Sequence, residues 1–503
     1  MKFGKRSLPF YFIIIFFCVI LLVIVAETAC RVYAIGGIIW AQIQIPARVK
    51  TLMEDDDRKY QEAKSLTPPP DFLPWRAPAQ STLSHLDAQG RQELAKQRGE
   101  LILISDEEGI VYEVYSCPAN EKLVYLGNKA CIGHNIKEML PVNIASDVLD
   151  AVQRIKNNVV EWIHHYPVPV TDDKVYIYDF RCMCLSDSPL RFALFFSDSV
   201  YEDIYRHYRA NAYCDDYKQD FLNSMFWTNS LGYRDREITL PKPVGVFRII
   251  CTGGSTTVEG PYNELTYPKY LERMLRKRFN TDNIEVINCG MDAETLSTEY
   301  DRFGEFLALE PDLILHYNII NDLPAILQAA GDGSGMKKGI VGQLRYYGSY
   351  SMLLRKLFEG WFEIPVREVE EQITKQAISI IGQMNNTARR EGITFVACSF
   401  ALPDIQNLSN GELILFDNSF WGSYSVRFTS RYYKKVVECY NVLLHHFCTE
   451  NHIPYMPVAE HLTGGLDLFS DICHLRVPGI EKKAAIICEY LAPHIASKIT
   501  PPR

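Results

Sequence analysis

The sequence lacks the features of a protein that binds nucleic acid. Its 503 residues carry a formal net charge of −9, and no cluster of lysine and arginine is interleaved with aromatic residues. A surface that binds polyanions needs such a basic patch, so we expect no nucleic-acid partner. The chain also lacks a Walker lysine and a kinase-type loop, which argues against a kinase or cyclase output.

Metal-binding and cofactor patterns are missing too. The fourteen cysteines include no CxxC pair, and Cys182 and Cys184, which point to one face of a predicted strand, lack the spacing of zinc ligands. His134, His164 and His165 have no ligand-type partner at metal spacing. We therefore expect neither a metal nor a cofactor, and the cysteine spacing assigns no disulfide.

One long apolar run stands near the start of the chain. A basic tail, residues 1–8, precedes residues 9–26, which are about 18 apolar residues in succession and long enough for a helix to cross a bilayer core. A cleaved signal peptide is the alternative, but the following residues offer no small-x-small site and include Glu27. We predict a cytoplasmic tail, a single transmembrane signal anchor at 9–26, and all later residues on the outer (periplasmic or extracellular) face.

The rest of the chain is long enough for two or more folded domains, and its composition, 47% hydrophobic and 22% charged, is that of folded protein. Residues 27–98 are predicted to be a stalk and linker. They combine a charged piece, MEDDDRKYQEAK, with SLTPPPDFLPW, whose three consecutive prolines favour an extended spacer. Residues 201–228, rich in tyrosine and aspartate, are predicted to connect two domains.

Residues 99–200 show the pattern of a small α+β domain. The segments LILISD and IVYEVY predict a hairpin, a helical middle follows in which Val148 and Val152 share an apolar face, and three alternating strands complete it. This element order and the phrase IGHNIKEMLP resemble a PAS domain. The resemblance implies a module that senses a ligand or dimerises, and a plain α+β spacer domain without a ligand remains the alternative.

From residue 229 to 497 the chain alternates apolar strands with amphipathic helices. The predicted strands are Phe247–Thr252, Ile284–Asn288, Leu313–Tyr317, Thr394–Phe400 and Pro454–Val458. Apolar strands separated by helices predict an α/β fold with a doubly wound parallel sheet in three layers, which receives ligands at the carboxyl ends of its strands.

The first of these strands delivers a serine to that edge of the sheet. The stretch FRIICTGGSTT stops an apolar run at two glycines and places Ser255 at the start of a helix. Such a turn holds a hydroxyl away from the sheet, while backbone N–H groups at the helix N-terminus face the same point. The same letters also fit an ordinary connection between a strand and a helix.

Three more blocks follow strand ends or stand late in the chain. Gly290 follows the second strand, Asn321 follows the third, and Asp471 and His474 precede the last helix. Acyl transfer needs a hydroxyl, a base, an acid partner for that base, and donors for the developing oxyanion. The chain offers a candidate for each of these parts.

The four blocks GGST, Gly290, I-I-N-D and DxxH, in this order, resemble the SGNH/GDSL hydrolase superfamily over nearly all of residues 229–495. The lead-in NSLGYRD looks like that of membrane-anchored members found in bacterial cell envelopes. The resemblance implies that Ser255 is the nucleophile, His474 the general base and Asp471 the carboxylate that holds its imidazole. It also implies an oxyanion hole formed by the Ser255 N–H, the Gly290 N–H and the Asn321 side chain.

Two positions depart from the family pattern. Gly254 stands where the name-giving motif has aspartate, and Ile319 stands where the third block usually has glycine, so that a branched side chain is expected to narrow the space beside Asn321. The other polar groups near the motifs have ordinary interpretations. We expect Asp322 to cap the following helix, Cys473 to pack, and three acidic residues to be solvated, namely Glu259, Asp292 and Glu294.

The sequence thus predicts a membrane-anchored serine esterase that cleaves or transfers small acyl groups, such as acetyl esters on a cell-envelope glycan or a lipid-like substrate. The alternative is a scaffold or sensor protein in which the hydrolase-like fold has lost activity and the PAS-like domain senses a ligand or forms a homodimer. An acyltransferase would use the same residues. The distances between Ser255, His474 and Asp471 discriminate enzyme from scaffold.

Overall fold

The computed structural model describes residues 25, 28, 46–66, 87–98, 100–116, 131–140, 145–146, 148–149, 152–153, 161–171, 174–187, 190–198, 201–203, 207–208, 213–214, 226–333, 339–349, 351, 354, 358, 360–423 and 428–499. Their contacts divide the chain into two units. The α/β unit comprises Met1–Leu66, Lys218–Ser224 and Thr239–Arg503, and the α+β unit comprises Thr67–Tyr217 and Met225–Ile238. The boundary at Thr239 differs from the predicted domain start at residue 229.

Among the described residues before residue 230, most elements are strands. The helices are α1 (Pro46–Leu66), α2 (Ala88–Arg98) and α3 (Ile136–Met139). The strands are β1 (Glu100–Ser105), β2 (Val111–Ser116), β3 (Glu161–Thr171), β4 (Lys174–Asp187), β5 (Leu190–Asp198), β6 (Tyr201–Asp203), β7 (His207–Tyr208), β8 (Tyr213–Cys214) and β9 (Phe226–Trp227).

In the α+β unit, five strands form one antiparallel sheet in the order β2-β1-β5-β4-β3. The predicted β1–β2 hairpin is present, and its turn contains Gly109 at φ 85°. One face of the sheet packs against Val148 and Val152 of the predicted helical middle, and the other packs against Ala95 of α2. The predicted order of strands and helices is therefore confirmed, whereas the relationship to PAS domains stays a prediction.

The elements after residue 246 alternate as predicted. The strands are β10 (Phe247–Gly253), β11 (Ile284–Asn288), β12 (Leu313–Tyr317), β13 (Thr394–Cys398) and β14 (Tyr455–Met456). The helices are α4 (Ser255–Val258), α5 (Tyr267–Phe279), α6 (Leu296–Asp301), α7 (Phe303–Ala308), α8 (Leu323–Gly333), α9 (Gly339–Gly348), α10 (Val366–Ile373), α11 (Ser379–Arg390), α12 (Asn410–Ser423), α13 (Ser430–Glu450), α14 (Val458–His461) and α15 (Val477–Ile495), with a 3₁₀ turn at Asn263–Leu265 and a π-helical turn at Thr374–Ile378.

These strands form one parallel sheet in the order β11-β10-β12-β13-β14. Numbered along the unit this order is 2-1-3-4-5, the arrangement of flavodoxin-like doubly wound folds. In such a sheet the chain leaves β10 and β12 toward opposite faces, which opens a crevice at their carboxyl ends. The predicted three-layer α/β fold is confirmed, and the crevice lies where Ser255 and Asn321 follow their strands.

Helix α1 belongs to the α/β unit, which corrects the assignment of these residues to a stalk. Asp56 is fully buried and its Oδ2 lies 2.8 Å from Arg476 Nε and 2.6 Å from Arg476 Nη2. Tyr60, one turn later, packs edge-on against Tyr262 with 5.8 Å between ring centroids. A buried ion pair and an aromatic contact one helical turn apart fix one face of α1 on the domain.

No helix within the described residues is long and apolar enough to cross a membrane. The predicted anchor at residues 9–26 lies outside the described residues except for Val25. Residues 1–8 and most of the proline-rich part of the predicted linker lie outside them too.

Candidate active site

The turn after β10 places Ser255 at the edge of the sheet. Gly253 has φ 145°, a backbone conformation that glycine adopts readily and other residues rarely do. A Cβ at this position would also lie 2.1 Å from the backbone oxygen of Tyr317 on β12. Helix α4 then begins at Ser255, so the first N–H of the helix has no acceptor within it. The two glycines of the motif thus bring hydroxyl and N–H to one point.

A tight turn before α15 carries the other two predicted residues. Asp471 Oδ1 accepts hydrogen bonds from the backbone N–H groups of Cys473 and His474, both at 2.7 Å. The Ser470 N–H donates to the His474 carbonyl oxygen at 2.9 Å and closes the turn. Because two residues separate Asp471 from His474, one oxygen of the Asp471 carboxylate can bind the backbone of the turn while the other faces the imidazole.

The structure brings Ser255, His474 and Asp471 into one hydrogen-bonded chain. Asp471 Oδ2 lies 2.6 Å from His474 Nδ1, and His474 Nε2 lies 2.8 Å from Ser255 Oγ across 219 positions of sequence. An ionised carboxylate only accepts, so Nδ1 donates to Asp471 and leaves Nε2 of the neutral ring to accept the serine proton. The predicted proximity is observed, and the catalytic roles remain a prediction.

The surroundings of His474 favour its charged form. Burial lowers the pKa of this imidazole, but the Asp471 charge, the adjacent Cys473 sulfur and the hydrogen bond from Nδ1 together raise its pKa well above the ordinary value. The His474 side chain is 13% exposed and that of Asp471 is 5% exposed. An imidazolium that forms during a reaction is therefore stabilised from the buried side.

Asn321 offers its amide beside the serine. Its Nδ2 donates to the Glu294 carbonyl oxygen at 3.0 Å, and this group has a second hydrogen to donate. A Cβ at Gly254 would lie 2.9 Å from Asn321 Nδ2, so glycine at this position makes room for the amide. Gly254 is therefore a position at which Asn321 approaches the backbone closely.

Gly290 lies against helix α4, which begins at Ser255. A Cβ on it would lie 2.6 Å from Val258 N, and its own N–H donates to Asn288 Oδ1 at 3.1 Å. The structure therefore brings this predicted oxyanion donor to α4 with its N–H already engaged by a side chain. The other two predicted donors are the Asn321 amide, which has a second hydrogen, and the Ser255 N–H, which has no acceptor within α4.

The Glu294 carbonyl oxygen that Asn321 contacts belongs to a buried polar network. Asn318 Nδ2 donates to the Glu294 carbonyl oxygen at 3.0 Å and to Glu299 Oε2 at 3.1 Å. His316 Nδ1 lies 2.8 Å from Glu299 Oε1, and both side chains are fully buried. Burial raises the pKa of Glu299, but His316 and its other partners outweigh this effect, so that its pKa lies below the ordinary value.

Ile319, the second departure from the family pattern, is fully buried. Its side chain consequently presents no surface to a substrate beside Asn321. Ser255, His474 and Asn321 are each partly exposed, so all three remain reachable from solvent.

Several acidic residues differ from expectation. Glu259, Asp292 and Glu294 are buried rather than solvated. Burial raises the pKa of Glu294 well above its ordinary value, although Arg302 Nη1 lies 2.8 Å from it. Asp322 does not cap its own helix through its side chain: both oxygens accept the Leu296 N–H at the start of α6, at 3.1 Å each. Burial raises the pKa of Asp322 to about 7.

Within the described part of the chain, Asp471, Cys473 and His474 bring ligand-type atoms within 4.8 Å of one another. A metal at this point would have to displace the bond between Asp471 and His474. The arrangement therefore suits proton transfer better than metal binding.

No protein-family model and no curated protein matches the chain. Solved structures to which part of the chain is similar include a member of the lipolytic G-D-S-L family from Veillonella parvula, with 14% identity, 48% of this chain and 97% of that chain covered, and a TM-score of 0.28. An acetylxylan esterase from Geobacillus stearothermophilus, solved as a catalytic mutant, is 12% identical and covers 52% of this chain and 99% of its own, with a TM-score of 0.30. A GDSL-like lipase from Bacteroides thetaiotaomicron is 13% identical, with 50% and 88% covered and a TM-score of 0.27.

Proposed function

We propose that this chain is a serine esterase of the SGNH/GDSL type that acts through Ser255, His474 and Asp471. The observation that carries the proposal is the distance of 2.8 Å between His474 Nε2 and Ser255 Oγ, with Asp471 at 2.6 Å on the other ring nitrogen. Nucleophile, base and orienting carboxylate in hydrogen-bond reach are the parts that acyl transfer requires.

The proposed reaction has two steps. His474 Nε2 takes the Ser255 proton while Oγ attacks the ester carbonyl carbon, and the imidazolium then gives this proton to the departing alcohol. Water repeats the sequence on the acyl-serine and releases the acid. The Ser255 N–H and the Asn321 amide stabilise the oxyanion of each tetrahedral intermediate.

We propose small acyl groups as the substrates, such as acetyl esters on a cell-envelope glycan or a lipid-like ester. Ser255 and His474 are each partly exposed, which supports access by an ester group carried on a larger molecule. Whether water or a sugar hydroxyl accepts the acyl group is a question of access, so hydrolase and acyltransferase share this proposal.

The test is turnover of p-nitrophenyl esters of increasing acyl length by the full chain in detergent. We expect hydrolysis that is fastest for acetyl or other short chains and lost in Ser255→Ala. Turnover that persists unchanged in Ser255→Ala, or none in the wild type, would argue against the esterase and for the scaffold alternative.

We also propose that residues 9–26 anchor the chain in a membrane with both folded units on the outer face. The support is the apolar run behind the basic tail. The protein should then resist alkaline carbonate extraction and be digested by protease added from outside. Release by carbonate would contradict the anchor.

For the α+β unit we propose a sensory or dimerising role, supported by its PAS-like element order. Light scattering of the purified chain should report a dimer if the unit dimerises. A concentration-independent monomer would exclude dimerisation and leave ligand sensing and a plain spacer domain as the alternatives.

A further inference from the structure

Beneath Ser255 and His474 lies a buried ion pair that the proposed mechanism does not use. Lys483 Nζ on α15 is 2.7 Å from Glu259 Oε1 at the end of α4, and both side chains are 0% exposed. The ammonium also faces the rings of Tyr267 and Tyr317, at 4.3 and 4.6 Å from their centroids. Burial raises the pKa of Glu259 and lowers that of Lys483, and the charge of each partner opposes the shift of the other.

Each partner also holds the backbone next to a reacting side chain. Glu259 Oε2 accepts the Leu475 N–H at 2.8 Å, directly after His474. Lys483 Nζ donates to the Thr256 carbonyl oxygen at 2.6 Å, directly after Ser255. One ion pair therefore ties the nucleophile helix α4 to the turn that carries the base.

This tie has a chemical consequence because Ser255 and His474 come from segments 219 positions apart. Proton transfer needs their atoms at hydrogen-bond distance, and a displacement of about 1 Å can reduce a rate by about a hundredfold. A structural pair elsewhere in the fold would affect stability without affecting this distance. Here both contacts end on residues adjacent to the reacting groups.

We propose that the Glu259–Lys483 pair is a positioning device that sets the distance between Ser255 and His474, a role that rests on the proposed esterase function. Glu259 and Lys483 touch no substrate and transfer no proton. They hold two backbone segments in register, so their loss reduces kcat rather than substrate affinity.

The experiment replaces the pair without leaving a charge unpaired. Glu259→Leu combined with Lys483→Met refills the volume with apolar groups, an exchange that buried ion pairs often tolerate. We expect kcat for p-nitrophenyl acetate to fall by about a hundredfold, with KM within about threefold of the wild type. Glu259→Gln combined with Lys483→Met restores an acceptor for the Leu475 N–H. We expect its kcat to be about tenfold higher than that of Glu259→Leu/Lys483→Met.

A similar pair away from the site provides the control. Lys269 Nζ and Glu272 Oε2 are 3.4 Å apart with both side chains 4% exposed, and Glu272 Oε2 also accepts the Val286 N–H at 2.8 Å. Glu272→Leu combined with Lys269→Met should leave kcat within about twofold of the wild type, since the ion pairs and hydrogen bond of Glu272 end on Lys269 and Arg276 of α5 and on Val286 of β11.

A folded Glu259→Leu/Lys483→Met protein with wild-type kcat would overturn the proposal, as would an equal loss of kcat in the control. If that protein does not fold, the Glu259→Gln/Lys483→Met protein decides the matter, because the proposal expects its kcat to lie about tenfold below the wild type and a wild-type value overturns it. Failure of the esterase proposal is distinguishable, since the wild-type protein would then show no turnover dependent on Ser255.

Discussion

His474 lies between a carboxylate and a hydroxyl, and its protonation decides whether it can act as a base. Only the neutral imidazole accepts the Ser255 proton. Burial lowers the pKa of His474, yet Asp471 and the neighbouring Cys473 raise it well above the ordinary value. Below that raised pKa the ring is charged and the base form is scarce, so activity should increase as pH rises through it.

We therefore predict that kcat/KM for p-nitrophenyl acetate increases with pH and reaches its plateau on the alkaline side of neutrality. Asp471→Asn removes the charge that raises the pKa, so the rise should move to lower pH. The value of kcat should fall by about 10⁴-fold, because an amide N–H that faces Nδ1 holds the imidazole in the tautomer whose Nε2 already carries a proton. The measurement is the pH profile of both proteins. An unchanged midpoint in Asp471→Asn would contradict the assignment of Asp471.

Gly254 gives a second prediction at the residue scale. In Gly254→Ala the new Cβ would lie 2.9 Å from Asn321 Nδ2 and 3.3 Å from Asn318 Oδ1. Because Glu294 holds that amide, it has little freedom to move, and we expect kcat to fall by about a hundredfold as an oxyanion donor is displaced. Gly304→Ala, where no atom lies within 4 Å of the added Cβ, is the matched control and should keep full activity.

At the scale of elements, the strands of the parallel sheet were predictable and the packing of polar helices was not. Each predicted strand of the α/β unit overlaps an observed one. Short apolar runs rich in β-branched residues, when they lie between helices, favour buried strands. Residues 27–98, which include α1, were predicted to be a stalk because a charged piece is followed there by three consecutive prolines. The spacing of Asp56 and Tyr60 by four positions, both buried, was the available signal for a packed face.

Helix α1 leads to a prediction about stability. Asp56→Ala leaves the Arg476 guanidinium buried without its carboxylate, and we expect a loss of about 3–5 kcal/mol in the free energy of unfolding of the α/β unit. Asp57→Ala, an exposed position on the same helix, should change stability by less than about 0.5 kcal/mol. Calorimetric unfolding of the full chain measures both, and equal stability of the two variants would show that α1 does not hold the domain.

For the whole molecule, the sequence predicted the reacting groups and not the framework that aligns them. The order of the motifs placed Ser255 and His474 at one edge of the sheet, because parallel strands present their carboxyl ends together. Glu259 was predicted to be solvated, and Lys483, which directly follows Glu481 and Lys482, carried no pattern that indicated burial. Their burial depends on α4, α15 and the His474 turn meeting in space, which no local pattern encodes.

The central claim is that Ser255 is a nucleophile activated by His474. It is tested most directly by labelling the full chain with a fluorophosphonate probe and locating the adduct by peptide mass spectrometry. The account predicts one adduct on Ser255, strongly reduced in His474→Ala and absent in Ser255→Ala. A wild-type protein that takes up no label, or label that persists in Ser255→Ala, would contradict it.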